Sequence, residues 1–126
     1  MWQLVEPGRA EKMNERKLHE TVVAWLKVSL PHDAVFHHSP NEGRRGWHAQ
    51  RAIKSHGVHK GWPDIEIIYR GQPFFIELKA PGKYPTPAQR ETIAALKAAG
   101  AECLVARSIE HVNEFLVRFM ELKTHL

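Results

Sequence analysis

The sequence predicts an α/β fold in which helices flank a mixed β-sheet. The length of 126 residues suits one domain of ordinary size. Hydrophobic residues make up 43% of the chain and charged residues 25%, which is typical of folded globular proteins. Periodicities of helices and strands follow in the order helix, strand, helix, strand, strand, helix, strand, helix. We expect residues 1–12 to form a loose tail and residues 13–126 a single domain.

The first half of the chain begins with an amphipathic helix. Asn14 suits the N-cap position, and the helix should end near Pro31. Residues 34–38 have the pattern of a short strand, and residues 47–56 that of a short basic helix that follows a loop. The apolar residues that define the first helix are Leu18, Val22, Trp25 and Leu26.

The segment from Asp64 to Lys79 is predicted to be a β-hairpin with its turn within residues 70–73, because apolar and polar side chains alternate on both sides. If the turn has two residues, Asp64 lies directly opposite Glu77. If it has four, Asp64 lies opposite Lys79, and Glu77 is diagonal to it. Either turn brings the three charged groups together, whereas an odd-length turn or a bulge would move Asp64 to the other face.

Two helices flank the last predicted strand. Residues 86–89 supply an N-cap threonine, a proline at the first helical position and a glutamine at the third, and this helix should end at Gly100. Residues 102–107 form the strand, and Ser108 caps the final helix. The side chains expected to face inward from these two helices are Ile93, Leu96, Val112, Phe115, Leu116 and Phe119.

The composition argues against several classes of protein. The longest apolar runs have about five residues, whereas a membrane span needs about twenty. The first 17 residues carry seven charges and lack the apolar run of a secretory signal. Cys103 is the only cysteine, so an internal disulfide and a cysteine zinc cluster are excluded. We therefore expect a cytoplasmic protein.

Positive charge is concentrated in the first half of the chain. The net charge is +4, with ten basic and six acidic residues in 1–63 and eight of each in 64–126. No acid lies between Gly43 and Pro63, a stretch that also contains Trp47 and Trp62. It predicts either a surface that holds phosphates or a solvated basic loop. The two tryptophans suit base stacking or packing. Nearby histidines lack the spacing of a closed zinc site.

Two carboxylates and a lysine on one face suit phosphodiester hydrolysis. Asp64 and Glu77 would repel each other unless a cation lay between them. Mg²⁺ prefers oxygen ligands and is usually held by one or two carboxylates together with waters and a phosphate. Lys79 could help to activate the attacking water or stabilise charge that develops on the phosphorus centre. The alternative is an ordinary cross-strand salt bridge on a solvated sheet face.

These residues resemble the signature of the PD-(D/E)xK nucleases, and their surroundings resemble the VRR-NUC branch. Gly61-Trp62-Pro63-Asp64 is followed by Glu77-Leu78-Lys79, with 13 residues from Asp64 to Glu77. The resemblance covers most of the chain from about Met13 and implies a restriction-endonuclease-like core. Further matching segments are 14–20, Pro40-Asn41-Glu42-Gly43-Arg44, and Lys79-Ala80-Pro81-Gly82 followed by Gln89.

The resemblance also implies the site residues. Asp64, Glu77 and the backbone carbonyl of Leu78 would bind Mg²⁺, for which Mn²⁺ can substitute, and Lys79 would be the catalytic lysine. No small organic cofactor is implied.

Glu20 and Gln89 are implied as two further catalytic residues. Each has a second interpretation: the helical wheel turns Glu20 toward solvent, and Gln89 suits a capping partner of Thr86. The candidate nucleic-acid contacts, with solvated surface residues as the alternative, are Arg44, Arg45, Arg51, Lys54, Lys60, Lys83 and Tyr84.

The function that the resemblance implies is structure-specific DNA cleavage. Stand-alone members of bacterial or phage type resemble dimeric endonucleases of DNA repair that act on branched DNA, above all four-way (Holliday) junctions. A homodimer suits the two-fold symmetry of such a junction. Two alternatives stay open: a flap-directed or single-strand nuclease of the same chemistry, and a non-catalytic nucleic-acid-binding module.

Overall fold

A computed structural model of the chain describes residues 14–39 and 59–124. The elements of this part of the chain are α1 (Glu15–Ser29), β1 (Ala34–His38), β2 (Ile65–Tyr69), β3 (Gln72–Leu78), α2 (Pro87–Ala98), β4 (Glu102–Ala106) and α3 (Ile109–Leu116). None of these helices is long and apolar enough to cross a membrane. The predicted tail at 1–12, the loop after Ser39 and the predicted helix at 47–56 lie outside the described residues.

The four strands form one mixed sheet in the order β1-β2-β3-β4. β1 pairs with β2 and β2 with β3, in both cases antiparallel. β4 lies beside β3 and is reached through α2, the kind of connection that parallel neighbours require. The α/β class with a mixed sheet, predicted from the order of periodicities, is therefore confirmed.

The hairpin of β2 and β3 has the two-residue turn. Tyr69 pairs with Gln72, so that only Arg70 and Gly71 form the turn. Their φ angles are 49° and 79°, the left-handed values that a type I′ turn requires at both central positions. Such a turn matches the twist of the two strands, which explains why the longer four-residue alternative is wrong.

The described residues divide into two compact units that alternate along the chain. One unit comprises residues 14–31, 78–84 and 105–124. In it α1 contacts α3, and the side chains that they bury are mostly apolar. The N–H of Lys123 donates to the carbonyl of Ser29 over 2.7 Å, and the hydroxyls of Ser29 and Thr124 hydrogen-bond to each other. These bonds attach the C-terminal segment to the end of α1.

The structure contradicts the prediction for one core residue of this unit. Val112, Phe115 and Leu116 are buried as expected, but Phe119 is 37% exposed. The helix ends at Leu116, so Phe119 lies outside the helical repeat on which the prediction was based. Arg118 instead places its guanidinium carbon 5.6 Å from the Phe119 ring centroid.

The other unit comprises residues 32–39, 59–77 and 85–104. Its helix α2 begins with the predicted capping box between Thr86 and Gln89. Ile93 and Leu96 of this helix are only half-buried, whereas Thr92 is buried. The core side chains supplied by β2 and β3 include Ile65, Ile67, Phe74 and Ile76.

Candidate active site

The hairpin register brings Asp64 and Glu77 to facing positions. The pairs of β2 and β3 run to Ile65 opposite Ile76, and the next position of this register is Asp64 opposite Glu77. The N–H of Ser39 donates to the carbonyl of Asp64 over 2.8 Å, which extends the ladder of β1 and β2 by one residue. The backbone of Asp64 is thus held in the sheet, and its side chain starts on the same face as that of Glu77.

The carboxylate of Glu77 is buried. Its residue is 2% exposed, and the Nε2 of Gln89 donates to Glu77 Oε2 over 2.9 Å. Placing a carboxylate inside a protein is unfavourable unless hydrogen bonds or a cation compensate the loss of water. Lys79 is also only 8% exposed, so Glu77 and Lys79 do not lie on a solvated sheet face.

Gln89 combines the two roles that the sequence left as alternatives. Its Oε1 accepts from the N–H of Thr86 over 2.8 Å, and its own N–H donates to Thr86 Oγ1 over 3.2 Å. Because the cap uses the amide oxygen, the amide NH₂ group is the end that reaches Glu77. The helix cap thereby orients the donor that holds the buried carboxylate. A catalytic role of Gln89 stays a prediction.

The loop before Asp64 is attached to the same helix. Gly61 has φ +79°, and a Cβ at this position would lie 2.6 Å from the carbonyl oxygen of Ala88 and 2.9 Å from the nitrogen of Gln89. Only glycine permits both this backbone angle and this approach. The hydroxyl of Thr92 also donates to the carbonyl of Lys60 over 2.8 Å. Helix α2 thus holds the Gly-Trp-Pro-Asp segment and, through Gln89, the Glu77 side chain.

Trp62 makes packing contacts. Its ring meets the ring of Phe75 edge-on at a centroid distance of 5.3 Å and that of His59 at 5.7 Å. Phe75 is buried, while Trp62 remains 39% exposed. Of the two interpretations of this tryptophan, the contacts favour packing.

Lys79, which follows β3, is fixed within the other compact unit. Its N–H donates to the carbonyl of Ala106 over 3.0 Å, and its Nζ lies 3.9 Å from Oε1 of Glu15. The sequence did not predict a role for Glu15. The one signal in the sequence was the position of Glu15 in the first turn of α1. An acid there also interacts favourably with the helix dipole, so this position could not distinguish a partner of Lys79 from a residue that only stabilises the helix.

Glu20, the acid that the sequence analysis selected from α1, has a different partner. It is exposed and forms an i,i+4 pair with Arg16, with Nε and Oε1 3.3 Å apart. Its catalytic role stays a prediction.

The structure describes three of the seven predicted nucleic-acid contacts. Lys60, Lys83 and Tyr84 are all exposed. The remaining four, Arg44, Arg45, Arg51 and Lys54, lie outside the described residues.

The donor set suits a hard divalent cation. In residues 14–39 and 59–124, no three or more His, Cys, Asp or Glu side chains group closely enough to hold a metal. The pair of Asp64 and Glu77 provides oxygen ligands alone, and Mg²⁺ is usually held by one or two carboxylates with waters and a phosphate. Cys103 is half-buried, and burial raises the pKa of its thiol, which disfavours the thiolate that soft metals bind.

Comparisons with known proteins bear on the family and the fold of this chain. The family profile of the VRR-NUC domain matches residues 4–110. The solved structure of a VRR_NUC domain protein, 30% identical in sequence, has a TM-score of 0.70, and the match covers 86% of this chain and 88% of that one. A second solved structure, of a VRR_NUC domain, is 19% identical with a TM-score of 0.55 over 84% of this chain and 97% of that one, and supports the fold alone.

A search of the curated proteins finds no match. The family profile nevertheless covers most of the chain, and it includes the whole segment from Gly61 to Gln89. This protein therefore belongs to the VRR-NUC domain family, a nuclease-type branch of the PD-(D/E)xK superfamily.

Proposed function

We propose that this protein is a Mg²⁺-dependent endonuclease that hydrolyses phosphodiester bonds in branched DNA, with four-way junctions as the first substrate to examine. The proposal is carried by the buried Glu77 carboxylate, held by Gln89 and facing the position of Asp64. A protein that only bound DNA would gain nothing from two facing carboxylates close to the bound phosphates, because like charges repel. A cation held between the two carboxylates and the phosphate removes this repulsion.

The residues divide the chemistry between them. Asp64, Glu77 and the carbonyl of Leu78 would hold Mg²⁺ or Mn²⁺, and the bound ion would offset the negative charge of the scissile phosphate. Lys79 stabilises the charge that develops on the phosphate during attack. Glu15, whose carboxylate lies 3.9 Å from the Lys79 ammonium, limits the directions in which that ammonium points.

The active form in this proposal is a homodimer. A four-way junction has two equivalent strands related by a two-fold axis, and a dimer with two-fold symmetry presents one site to each. Light scattering of the purified protein, alone and with a junction, measures the stoichiometry directly. A monomer in both conditions would contradict the homodimer while leaving the cleavage chemistry open to its own test.

Cleavage of end-labelled four-way junctions tests the chemistry. We expect nicking with Mg²⁺ or Mn²⁺ and none with EDTA. Asp64→Asn and Lys79→Ala should each lower the cleavage rate by about 10³-fold, with junction binding retained. Glu66→Gln is the matched control, because Glu66 is an acid on β2, two positions after Asp64. Full activity of both site variants, or cleavage in EDTA, would contradict the proposal.

The substrate is tested with the same protein and a panel of four-way junctions, flaps, single strands and linear duplexes. Preferential cutting of flaps or single strands would favour the flap-directed alternative. Salt-sensitive binding without cutting of any substrate would favour the non-catalytic binding module.

A further inference from the structure

An exposed tyrosine, Tyr84, and an arginine, Arg107, form a pair in the segments that follow β3 and β4. Tyr84 is 74% exposed, and the guanidinium carbon of Arg107 lies 5.1 Å from the centroid of its ring. We call these two residues the Tyr84–Arg107 pair. An aromatic ring with so much exposed surface contributes little to the hydrophobic core, so folding does not account for it.

The arginine of this pair is held in place by three segments of the chain. Its Nη2 donates to the carbonyl of Lys83 over 2.7 Å, and its backbone N–H donates to Nδ1 of His111 over 3.2 Å. Its neighbour Ala106 accepts from the N–H of Lys79 over 3.0 Å. The pair is therefore preorganised, and Arg107 follows directly after the backbone that binds Lys79.

The charge of Arg107 is available to a ligand. The guanidinium donates to the carbonyl of Lys83, and within the described ranges it forms no ion pair with a carboxylate. A second pair of the same kind behaves differently: the Arg70 guanidinium lies 5.0 Å from the Tyr69 ring, but its Nε is 3.1 Å from the carboxylate of Asp33. That carboxylate compensates the charge of Arg70.

An open aromatic face next to an uncompensated guanidinium matches the chemistry of an unpaired nucleotide. The base supplies a flat π-surface that stacks on an aromatic ring, and the adjoining phosphate pairs with a guanidinium. A base inside a duplex already has neighbours on both faces, so it cannot use such a ring. Lys83, the neighbour of Tyr84 in the sequence, is also exposed and carries a second positive charge.

We propose that the Tyr84–Arg107 pair is a binding site for an unpaired base and its phosphate in the DNA substrate. This inference rests on the proposed nuclease function and narrows its substrate to DNA that contains unpaired bases. Forks, flaps and opened junctions meet this requirement, whereas continuous duplex does not.

Binding in EDTA tests the inference without cleavage. The probes are forked duplexes that carry 2-aminopurine, a base whose fluorescence falls when it stacks, at successive positions of one unpaired arm. A blunt duplex of equal length is the reference. Wild-type protein should quench the probe at one or two positions. Tyr84→Ala should abolish this quenching and weaken fork binding by about tenfold, with duplex binding unchanged.

Three further variants separate the roles of ring and charge. Tyr84→Trp should restore quenching, because it keeps an aromatic face. Arg107→Gln should weaken fork binding and lower its salt dependence, because one phosphate contact is lost. Tyr69→Ala removes the ring of the charge-compensated pair and should leave binding and quenching unchanged. Circular dichroism of each variant confirms folding.

Two results would overturn the inference: no quenching at any position by wild-type protein, or equal loss of fork and duplex binding in Tyr84→Ala. Failure of the proposed function has a different signature, which is absence of Mg²⁺-dependent cleavage by the wild-type protein. Because quenching is measured in EDTA, the two failures cannot be confused.

Discussion

The two ends of the β2–β3 hairpin use charge in opposite ways. At the turn end, Arg70 and Asp33 form an exposed ion pair with Nε and Oδ2 3.1 Å apart. At the open end, Glu77 is 2% exposed and accepts a hydrogen bond from Gln89, facing the position of Asp64. A solvated pair of opposite charges thus lies at the turn end of the hairpin, and facing carboxylates lie at its open end.

This difference shows which charges serve stability and which oppose it. An exposed ion pair is screened by water and salt and contributes little, so its loss changes little. A buried carboxylate is unfavourable for folding and persists where function requires it. The turn nevertheless controls the open end, because one extra residue in the turn would shift the register and send Asp64 to the opposite face.

The largest expected effect separates activity from stability at the open end. Glu77→Gln should lower the cleavage rate by about 10³-fold. The free energy of unfolding without metal should stay unchanged or rise, because the substitution removes a buried charge. Cleavage assays and thermal melts in EDTA measure the two quantities. A variant that is inactive because it unfolds would contradict this separation.

A matched pair of glycines compares backbone constraints at the two ends. Gly61 and Gly71 both have φ +79°, but a Cβ at Gly61 meets backbone atoms at 2.6 Å whereas none lies within 4 Å of a Cβ at Gly71. Gly71→Ala should lower the free energy of unfolding by about 1 kcal/mol through backbone strain. Gly61→Ala should lower it by about 3 kcal/mol, because a steric clash is added. Urea denaturation measures both; equal losses would refute the close approach of the loop to α2.

Substitutions at the start of α2 separate its cap from its support of the site. Gln89→Glu keeps an oxygen for the N–H of Thr86 but places a carboxylate against Glu77, so cleavage should fall by about 10- to 100-fold. Thr86→Ala loses its side-chain cap, which should lower the free energy of unfolding by about 1 kcal/mol. Cleavage by Thr86→Ala should decline less than cleavage by Gln89→Glu. The reverse order would mean that the cap, and not the amide donor, supports Glu77.

The smallest effect belongs to the ion pair at the turn. The hydrogen bond from Arg70 lowers the pKa of the Asp33 carboxyl below its usual value. A depressed pKa means that the pair stabilises the fold above the ordinary aspartate pKa of about 3.9 and ceases to do so as the pH falls through the folded value. Asp33→Asn should therefore melt slightly below the wild type at neutral pH and together with it in acid. A difference in melting temperature that widened in acid would contradict the lowered pKa of Asp33.

Much of the fold could be predicted because its signals are local. A cap is a hydrogen bond between residues three apart, so Asn14, Thr86 and Ser108 identify the helix starts without knowledge of the rest of the molecule. Periodicity located the strands, yet it left two even turn lengths open. The same reasoning failed at Phe119, because the helix stops before that residue.

The candidate site was predictable only in part. Asp64, Glu77 and Lys79 follow from the hairpin and from the resemblance to PD-(D/E)xK nucleases. The contact of Lys79 with Glu15 was not foreseen, because the two residues are 64 positions apart and no local pattern joins them. Arg107 was missed for the same reason: its proximity to Tyr84 depends on where β4 ends.

The sequence by itself determined the helix starts, the alternation of the strands and the residues that can face each other across the hairpin, since these depend on short-range hydrogen bonds and on side-chain period. The tertiary structure decided which of those charged groups are removed from water. Packing between segments distant in the chain buries Glu77, brings the Gln89 amide into hydrogen-bond contact with it and brings Gly61 close to α2. Desolvation depends on those neighbours, and for that reason it distinguishes the candidate metal ligands from an ordinary surface pair.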